Sequence, residues 1–272
     1  MIQDIGIGRF DNSYKNVMAA DGDVAMVFDE GRIAVRRTKE GLLEFPRCGE
    51  FTGEFRYLFD IDGAGHFLFM EKTAEIPQDC TMEHVRELRD MGELTVCFAA
   101  ATAYHLAVWY RDSRFCGRCG HLLEHSKNQR MMKCPECGNE VYPKIAPAVI
   151  VGVRSGNKLL LTKYAGRVYK KYALIAGFVE IGETAEETVK REVMEEVGLK
   201  VKNIIYYGGQ PWGTDSNLLL GYFADLDGSG EISLDQEELS TAQWFEREDI
   251  PVGDDGISLT REMITAFKNG RY

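Results

Sequence analysis

The sequence predicts an α/β chain built in three parts, and three observations predict it. Two C-x2-C pairs, Cys116/Cys119 and Cys134/Cys137, cut the chain near its middle. Before them, β-forming runs between Gly/Asp turns lead into one long apolar helical stretch. After them, apolar strand-like runs alternate with an acidic helix and a closing helix. The parts are an N-terminal α+β domain over 1–110, a metal-binding ribbon over 111–144 and a third domain over 145–272. At 272 residues, 44% hydrophobic and 28% charged, the chain has material for two or three packed units.

In the first part, DVAMVFD (23–29), RIAVRR (32–37), FRYLFDIDG (55–63) and HFLFMEK (66–72) read as strands. A helix is expected from about Thr81 to Tyr110. Its later turns, LTVCFAAATAYHLAVWY (94–110), form the longest apolar run. That run carries His105 and falls short of the roughly 18 residues a membrane helix needs. It reads as a buried helix, and no membrane attachment is expected. The N-terminus lacks a basic start followed by an apolar run, so no secretory signal is expected either.

In the second part, each C-x2-C turn points two thiolates at one tetrahedral centre, with Gly117 and Gly120 easing the backbone. The pairs stand fourteen residues apart and predict a closed structural zinc site, one ion per chain. Four thiolates complete the shell, so His121 and His125 read as surface residues and catalysis must lie elsewhere. Cys48, Cys80 and Cys97 lack such spacing and read as ordinary buried or half-buried thiols. Seven cysteines in a chain without a signal fit a reducing compartment, so the cytoplasm is expected. The net charge of −11 excludes binding of nucleic acid mainly through bulk electrostatics. An acidic protein can still handle phosphate esters by recruiting divalent cations.

In the third part, APAVIVGVRSGNKLLLTKYA (146–165) reads as a hairpin around Ser155-Gly156-Asn157, and YALIAGFVE (172–180) as a strand. The most informative stretch is GFVEIGETAEETVKREVMEEVGL, 177–199. Thr184 is placed as an N-cap, Glu187 three residues on completes a capping box, and Gly198 stands where a C-cap would. Val189, Val193 and Val197 recur every four residues and face the core. Glu192 and Glu196 stack one turn apart along the flank of that stripe, with Glu195 further round. Stacked like charges cost an isolated helix roughly 0.2–0.5 kcal/mol per pair, a penalty that a divalent cation such as Mg²⁺ or Mn²⁺ reverses. A solvated acidic face is the plainer alternative.

DLDGSGEISLDQEE (225–238) nearly spells a calcium loop, with Asp225, Asp227, Ser229 and Gly230 in place. The preceding NLLLGYFA reads as a strand, however, and the twelfth position holds Gln236 instead of a bidentate glutamate. The stretch is read as a hairpin turn leading into a loop. SLTREMITAFKNG (258–270) reads as a helix.

The glutamate segment resembles the signature of the Nudix hydrolases, G-x5-E-x7-R-E-U-x-E-E-x-G-U with U aliphatic. Gly177, Glu183, Arg191, Glu192, Val193, Glu195, Glu196, Gly198 and Leu199 fall on it without a gap. The resemblance implies an α/β/α sandwich around a mixed sheet, and hydrolysis of a nucleoside diphosphate linked to another moiety. It implies Glu192, Glu195 and Glu196 as metal-binding and water-activating carboxylates, with Glu183 and Arg191 paired to hold the loop–helix geometry. Ala176 would lend its carbonyl to the metal, and Glu238, with Glu237 as the one-residue alternative, would reach the site from the loop.

The order of ribbon, glutamate box and GGQPWGTDSN (208–217) is similar to the NADH pyrophosphatase branch, some members of which also remove NAD caps from RNA. That branch's marker, S-Q-P-W-P-F-P-x-S, here reads Gly209-Gln210-Pro211-Trp212-Gly213-Thr214-Asp215-Ser216-Asn217. Gln-Pro-Trp is kept and Pro-Phe-Pro is lost. The resemblance implies Trp212, Phe178 and Tyr142 as ring-binding surfaces, with Gln210, Ser216 and Asn217 as polar contacts. Asp215 adds a negative charge that a phosphate disfavours. The substrates implied are NADH and NAD⁺, with NAD-capped RNA beside them, and the assembly implied is a homodimer.

Two other readings stay open. One is a broader dinucleotide specificity that includes ADP-ribose and dinucleoside polyphosphates. The other is a zinc-ribbon nucleic-acid-binding protein with an inactive Nudix fold. The ribbon region carries seven Lys/Arg against four Asp/Glu, an excess that the thiolate site itself reduces.

Overall fold

The computed structural model describes residues 1–6, 9–71, 75–166 and 171–272. Its contacts divide the chain into two units, one of Ile2–Ile145 with Trp212–Ser216, the other of Met1, Ala146–Pro211 and Asn217–Tyr272.

In the first unit the β-branched and aromatic runs form two small sheets. β1 (Phe10–Asp11), β2 (Val24–Met26), β6 (Phe55–Ile61) and β7 (Ala64–Phe69) make one, in the order β1-β6-β7-β2. β3 (Phe28–Asp29), β4 (Arg32–Arg37) and β5 (Leu43–Glu44) make the other, with β8 (Cys80–His84) paired to β4. Lys72, the end of the last expected strand, lies outside the described residues. The helix expected from Thr81 starts only at Leu94, as α1 (Leu94–Asp112). Residues 80–84 instead form β8, antiparallel to β4 from Arg32↔His84 to Arg36↔Cys80. The alternating charges of that stretch suit either a helix face or a strand edge. The free edge of β4 decides in favour of the strand, and a short 3₁₀ turn at Leu88–Asp90 followed by Gly92 keeps α1 from growing backwards. As expected, α1 is largely buried, through Phe98, Ala99, Ala100, Ala103, Leu106 and Trp109 among others. No described helix is long and apolar enough to cross a membrane. The ribbon's strands β9 (Glu124–His125), β10 (Met132–Lys133) and β11 (Glu140–Val141) follow.

The second unit is built on one mixed sheet of β12 (Ala146–Ser155), β13 (Lys158–Tyr164), β14 (Ile175–Phe178), β15 (Val201–Trp212), β16 (Asn217–Leu226) and β17 (Leu239–Glu246). The order is β15-β16-β12-β13-β17, with β14 also on β12. The hairpin at Gly156-Asn157 closes as expected, Ser155 opposite Lys158. β12 runs parallel to β16 and antiparallel to β14. Helices cover the two faces. Val189, Val193 and Val197 of α2 (Ala185–Val197) pack on Val149, Val151, Val153, Leu160 and Ile175. Leu259, Met263, Ile264 and Phe267 of α3 (Leu259–Lys268) pack on Ile150, Leu159, Leu161 and Leu174. Odd and even residues of β12 therefore point to different helices, which is the period of two a doubly covered strand requires. Each fully buried valine of α2 contributes roughly 1.5–3 kcal/mol relative to exposure.

The DGSG stretch is not a hairpin. β16 is flanked by β15 and β12, while β17 lies across the sheet against β13. Both edges of β16 are taken, so residues 227–238 cross over as a loop instead of folding back. Strands, not helices, flank this loop, and the two-helix frame of a calcium hand is not there.

Candidate active site

The site begins with the start of α2. Thr184 Oγ1 accepts from Glu187 N, and Glu187 Oε2 accepts from Thr184 N at 2.8 Å, the reciprocal pair expected of a capping box. Gly198 closes the helix in the left-handed region, φ 68°. With the valine stripe inward, Glu192 and Glu196 fall at the edge of the core, 8% and 2% exposed, and Glu195 faces solvent.

Arg191 is the hub of this edge. Its Nε and Nη2 donate to the two oxygens of Glu183 at 2.7 and 3.0 Å, a fork-on-fork pair. Nη1 donates to Glu192 Oε1 and to Glu195 Oε2, both at 2.8 Å, and Nη2 also reaches the Phe178 carbonyl at 2.9 Å. One guanidinium thus ties β14, the loop after it and α2 together. Thr188 Oγ1 donates a further bond to Glu183 at 2.8 Å, a contact that nothing in the sequence spacing signalled. Arg191 and Thr188 hold the Glu183 carboxyl down at about 2. Burial pushes Glu192 up, Arg191 opposes it, and the neighbouring charges of Glu195 and Glu238 push it further.

Gly177 shows why the segment opens on glycine. A Cβ there would stand 1.9 Å from both Cδ and Oε1 of Glu192, so the carboxylate lies directly against the bare backbone of β14. The neighbouring Ala176 pairs with Ile150 in the β12 ladder. On the other side, the 227–238 loop is fastened to the end of α2. Ser233 N donates to Val197 O and Asp235 N to Glu196 O, at 3.0 and 2.9 Å. Asp235 in turn takes a bond from Glu237 N and one, through its carbonyl, from Leu239 N. Of the loop's charges, that of Glu238 acts on Glu192. Among the described residues, Glu192, Glu195 and Glu196 do not bring three carboxylate oxygens within 4.8 Å of one another. Arg191 holds two of them by separate bonds.

The expected ring-binding and polar residues divide between the two units. Phe178, in the sandwich, is 54% exposed, and Tyr142, in the other unit, is 51% exposed. Gln210 requires a correction. It is fully buried, donates to Ile257 O at 2.7 Å and accepts from Leu259 N at 2.8 Å, so its amide fixes the start of α3 and offers a substrate no handle. Trp212 is half-buried, its Nε1 donating to Asp215 Oδ2 at 2.9 Å. Ser216 ends a one-turn 3₁₀ helix at φ 58°, and Asn217 opens β16 opposite Ala146. Asp215 is not the bare charge expected, since Arg86 Nη2 donates to its Oδ1.

The four ribbon thiols lie within 4.8 Å of one another. Cys116–Cys137, Cys119–Cys134 and Cys119–Cys137 Sγ atoms are 3.6, 3.4 and 3.5 Å apart. These spacings are too long for a disulfide and near the edge of about 3.8 Å that a tetrahedron of Zn–S bonds gives. Backbone N–H groups of Arg118 and Cys137 point at Cys116 and Cys134 Sγ, which favours thiolates. The turns that need positive φ are at Gly120, as expected, and at Gly138 (78° and 70°), and Gly117 is not among them. His125 is half-buried against Tyr110, whose hydroxyl is 2.9 Å from its Nε2, so it is not the surface residue expected.

Comparison with known proteins fits this arrangement. Residues 111–142 match the NADH pyrophosphatase zinc ribbon domain and residues 144–267 the NUDIX domain. A Citrobacter koseri protein described as NAD-capped RNA hydrolase NudC is 37% identical over 214 residues, 76% of this chain and 82% of its own length. The chain belongs to the Nudix hydrolase family. Within the Nudix family it carries the zinc ribbon of the NADH pyrophosphatase branch, with the four cysteines as the structural zinc cluster. NudC proteins of the same description from Enterobacter sp. (strain 638) and Salmonella paratyphi C are 39% and 41% identical over 183 and 165 residues. These matches cover 67% and 61% of this chain and 70% and 64% of the relatives, so the second spans just under two thirds of that protein. A crystal structure of a NUDIX hydrolase from Nitrosomonas europaea superposes with a TM-score of 0.50 over 58% of this chain and 92% of that one, at 24% identity. It shares the Nudix sandwich.

Proposed function

We propose that the chain is a metal-dependent hydrolase of the diphosphate bridge in NADH- and NAD-type dinucleotides, releasing a nicotinamide mononucleotide and AMP. The observation that carries this reading is Glu192 seated on the bare backbone of Gly177, beside Glu196 and next to the Arg191 hub. A buried carboxylate pressed by the charges of Glu195 and Glu238 is a donor set that suits a hard divalent cation. Glu192, Glu195, Glu196 and Glu238, with the Ala176 carbonyl, would hold Mg²⁺ or Mn²⁺. The bound ion would offset charge on the attacking and leaving oxygens of an in-line displacement. The chain's own work is to keep these carboxylates aimed and to take the proton of the attacking water on one of them. Arg191 and Glu183 keep the β14–α2 junction in place, and the exposed ring of Phe178 at the end of β14 is a surface for a ring of the substrate.

NAD-capped RNA presents the same bond, and the relatives described as NAD-capped RNA hydrolases support it as a substrate. The decisive assay is mononucleotide release from NADH with Mg²⁺, wild type against Glu196→Gln. Loss of one catalytic carboxylate is expected to cost roughly a hundredfold or more; equal rates would sink the reading. One observation favours a broader range that includes ADP-ribose: Gly213-Thr214-Asp215 stands where the branch has Pro-Phe-Pro. Parallel turnover of NADH, NAD⁺, ADP-ribose and a diadenosine polyphosphate decides between the two. The free thiols and the zinc cluster suit a reducing compartment, and we place the protein in the cytoplasm as a homodimer. Light scattering on the purified chain tests the dimer.

A further inference from the structure

Gly213-Thr214-Asp215 replaces a rigid, proline-bounded element with three small or polar residues, yet the segment is held at three points within one unit. Gly213 lies against α1 so closely that a Cβ would stand 2.1 Å from the Ala101 carbonyl oxygen. Arg86, from the segment between β8 and α1, donates to Asp215 Oδ1. Asp215 Oδ2 accepts from Trp212 Nε1 at 2.9 Å and from Thr214 Oγ1 at 3.3 Å. An indole rotates about two side-chain torsions, and a charged acceptor on its only N–H fixes both. The ring is half-buried, which leaves part of it accessible.

We propose that Asp215, held by Arg86, is a positioning residue that presents the Trp212 indole as a preformed stacking face for an aromatic ring of the substrate. Arg86 cancels the charge that would otherwise repel a phosphate, so an acidic residue is tolerated in a site for anions. Pre-fixing the ring lowers the ordering cost of binding, a cost the branch's prolines meet by stiffening the backbone. The consequence for substrate rests on the hydrolase reading, whereas the clamp itself does not.

The test combines two measurements. In ¹⁵N-labelled protein the Trp212 indole N–H signal is assigned with Trp212→Phe and its solvent exchange followed in Asp215→Ala, Asp215→Asn and Arg86→Ala. NADH turnover and NAD⁺ binding by calorimetry are measured on the same proteins. The expected result is a slowly exchanging indole N–H that becomes fast in Asp215→Ala and is partly protected in Asp215→Asn. The loss should fall on KM and on NAD⁺ affinity, about five- to tenfold, with kcat little changed. In a Trp212→Ala background, Asp215→Ala should add nothing further. An unaltered indole signal in Asp215→Ala overturns the proposal, and so does an additive effect in that background. If NADH is not hydrolysed at all but NAD⁺ affinity follows the indole signal, the hydrolase reading fails and the clamp stands.

Discussion

The chain carries a metal-binding cluster of thiols and a set of carboxylates proposed to hold a second metal, made on opposite principles. In the ribbon, four soft thiols converge to within 4.8 Å of one another on short turns, and the shell is complete with protein atoms. On α2, hard carboxylates sit on one face of a rigid helix, kept from converging and tied to Arg191. The first arrangement uses every coordination position for the fold; the second, on the proposed reading, would leave positions for water and phosphate. Saturation by protein ligands makes a site structural, and carboxylates held apart on a rigid frame make one available for chemistry.

The contrast breaks most sharply at the ribbon. Binding of zinc by such a cluster is folding free energy, about 10–16 kcal/mol in isolated zinc-finger peptides. Cys134→Ser, at a buried ligand, is expected to remove the one zinc per chain and unfold the ribbon, read as metal content and ribbon amide exchange. A Glu192→Gln protein should keep its full zinc. Retention of zinc by Cys134→Ser, or its loss from Glu192→Gln, would erase the distinction between the clusters.

Gly177→Ala probes the open site alone. The added methyl overlaps the Glu192 carboxyl, which must swing out or push β14 aside. Overpacking of this kind costs about 1–3 kcal/mol, and turnover of NADH should fall roughly a hundredfold if the displaced group is the catalytic carboxylate proposed above. Zinc content should not change. Unchanged turnover would mean that the seating of Glu192 on β14 does not matter.

The same contrast explains how much the sequence disclosed. The thiol cluster and the helix that carries the glutamates were legible because both rest on short-range spacing: two residues between thiols in one turn, three between Glu192 and Glu196 on one helix face. The Thr184–Glu187 cap, the valine stripe and the Gly156-Asn157 hairpin were legible for the same reason. What failed was long-range. Residues 80–84 became a strand because β4, nearly fifty residues away, had an open edge. Residues 227–230 carry hairpin chemistry, but both edges of β16 were already taken. Gln210 reads as a ligand handle until the position of Ile257 and Leu259 is known. Arg86, partner of Asp215 across 129 residues, had no local signal at all.

Burial of Glu192 sharpens the comparison by pH. Its folded pKa is raised above the unfolded value, chiefly by desolvation. The carboxyl therefore favours the folded state fully below the unfolded pKa, and this contribution is lost as pH rises through the folded one. At neutral pH the charged form is a burden on stability, so Glu192→Gln should melt higher than wild type while losing activity. The gain should vanish at pH values below the ordinary glutamate range. Ribbon variants should show no such trade between stability and turnover. A Glu192→Gln protein that melts lower at pH 7 would indicate that the bond from Arg191 outweighs desolvation at this residue.

The smallest effect belongs to the helix that carries the glutamates. Thr184 satisfies the Glu187 amide and Glu187 satisfies the Thr184 amide, so Thr184→Ala removes a cap worth about 0.5–1 kcal/mol. A melting temperature about 1–2 °C lower is expected for a protein of this size. Turnover should change less than stability, because Glu192 and Glu196 stand two and three turns along α2, held there by the valine stripe. Glu183 is the exception, since it lies one residue before the cap and is fixed by Arg191 and Thr188 as well as by the backbone. Should Thr184→Ala depress turnover tenfold while melting as expected, the cap reaches the site through Glu183. Adding Glu183→Gln in that background would then produce no further loss. If turnover holds, the frame of the open site is the packed face of the helix and not its first turn.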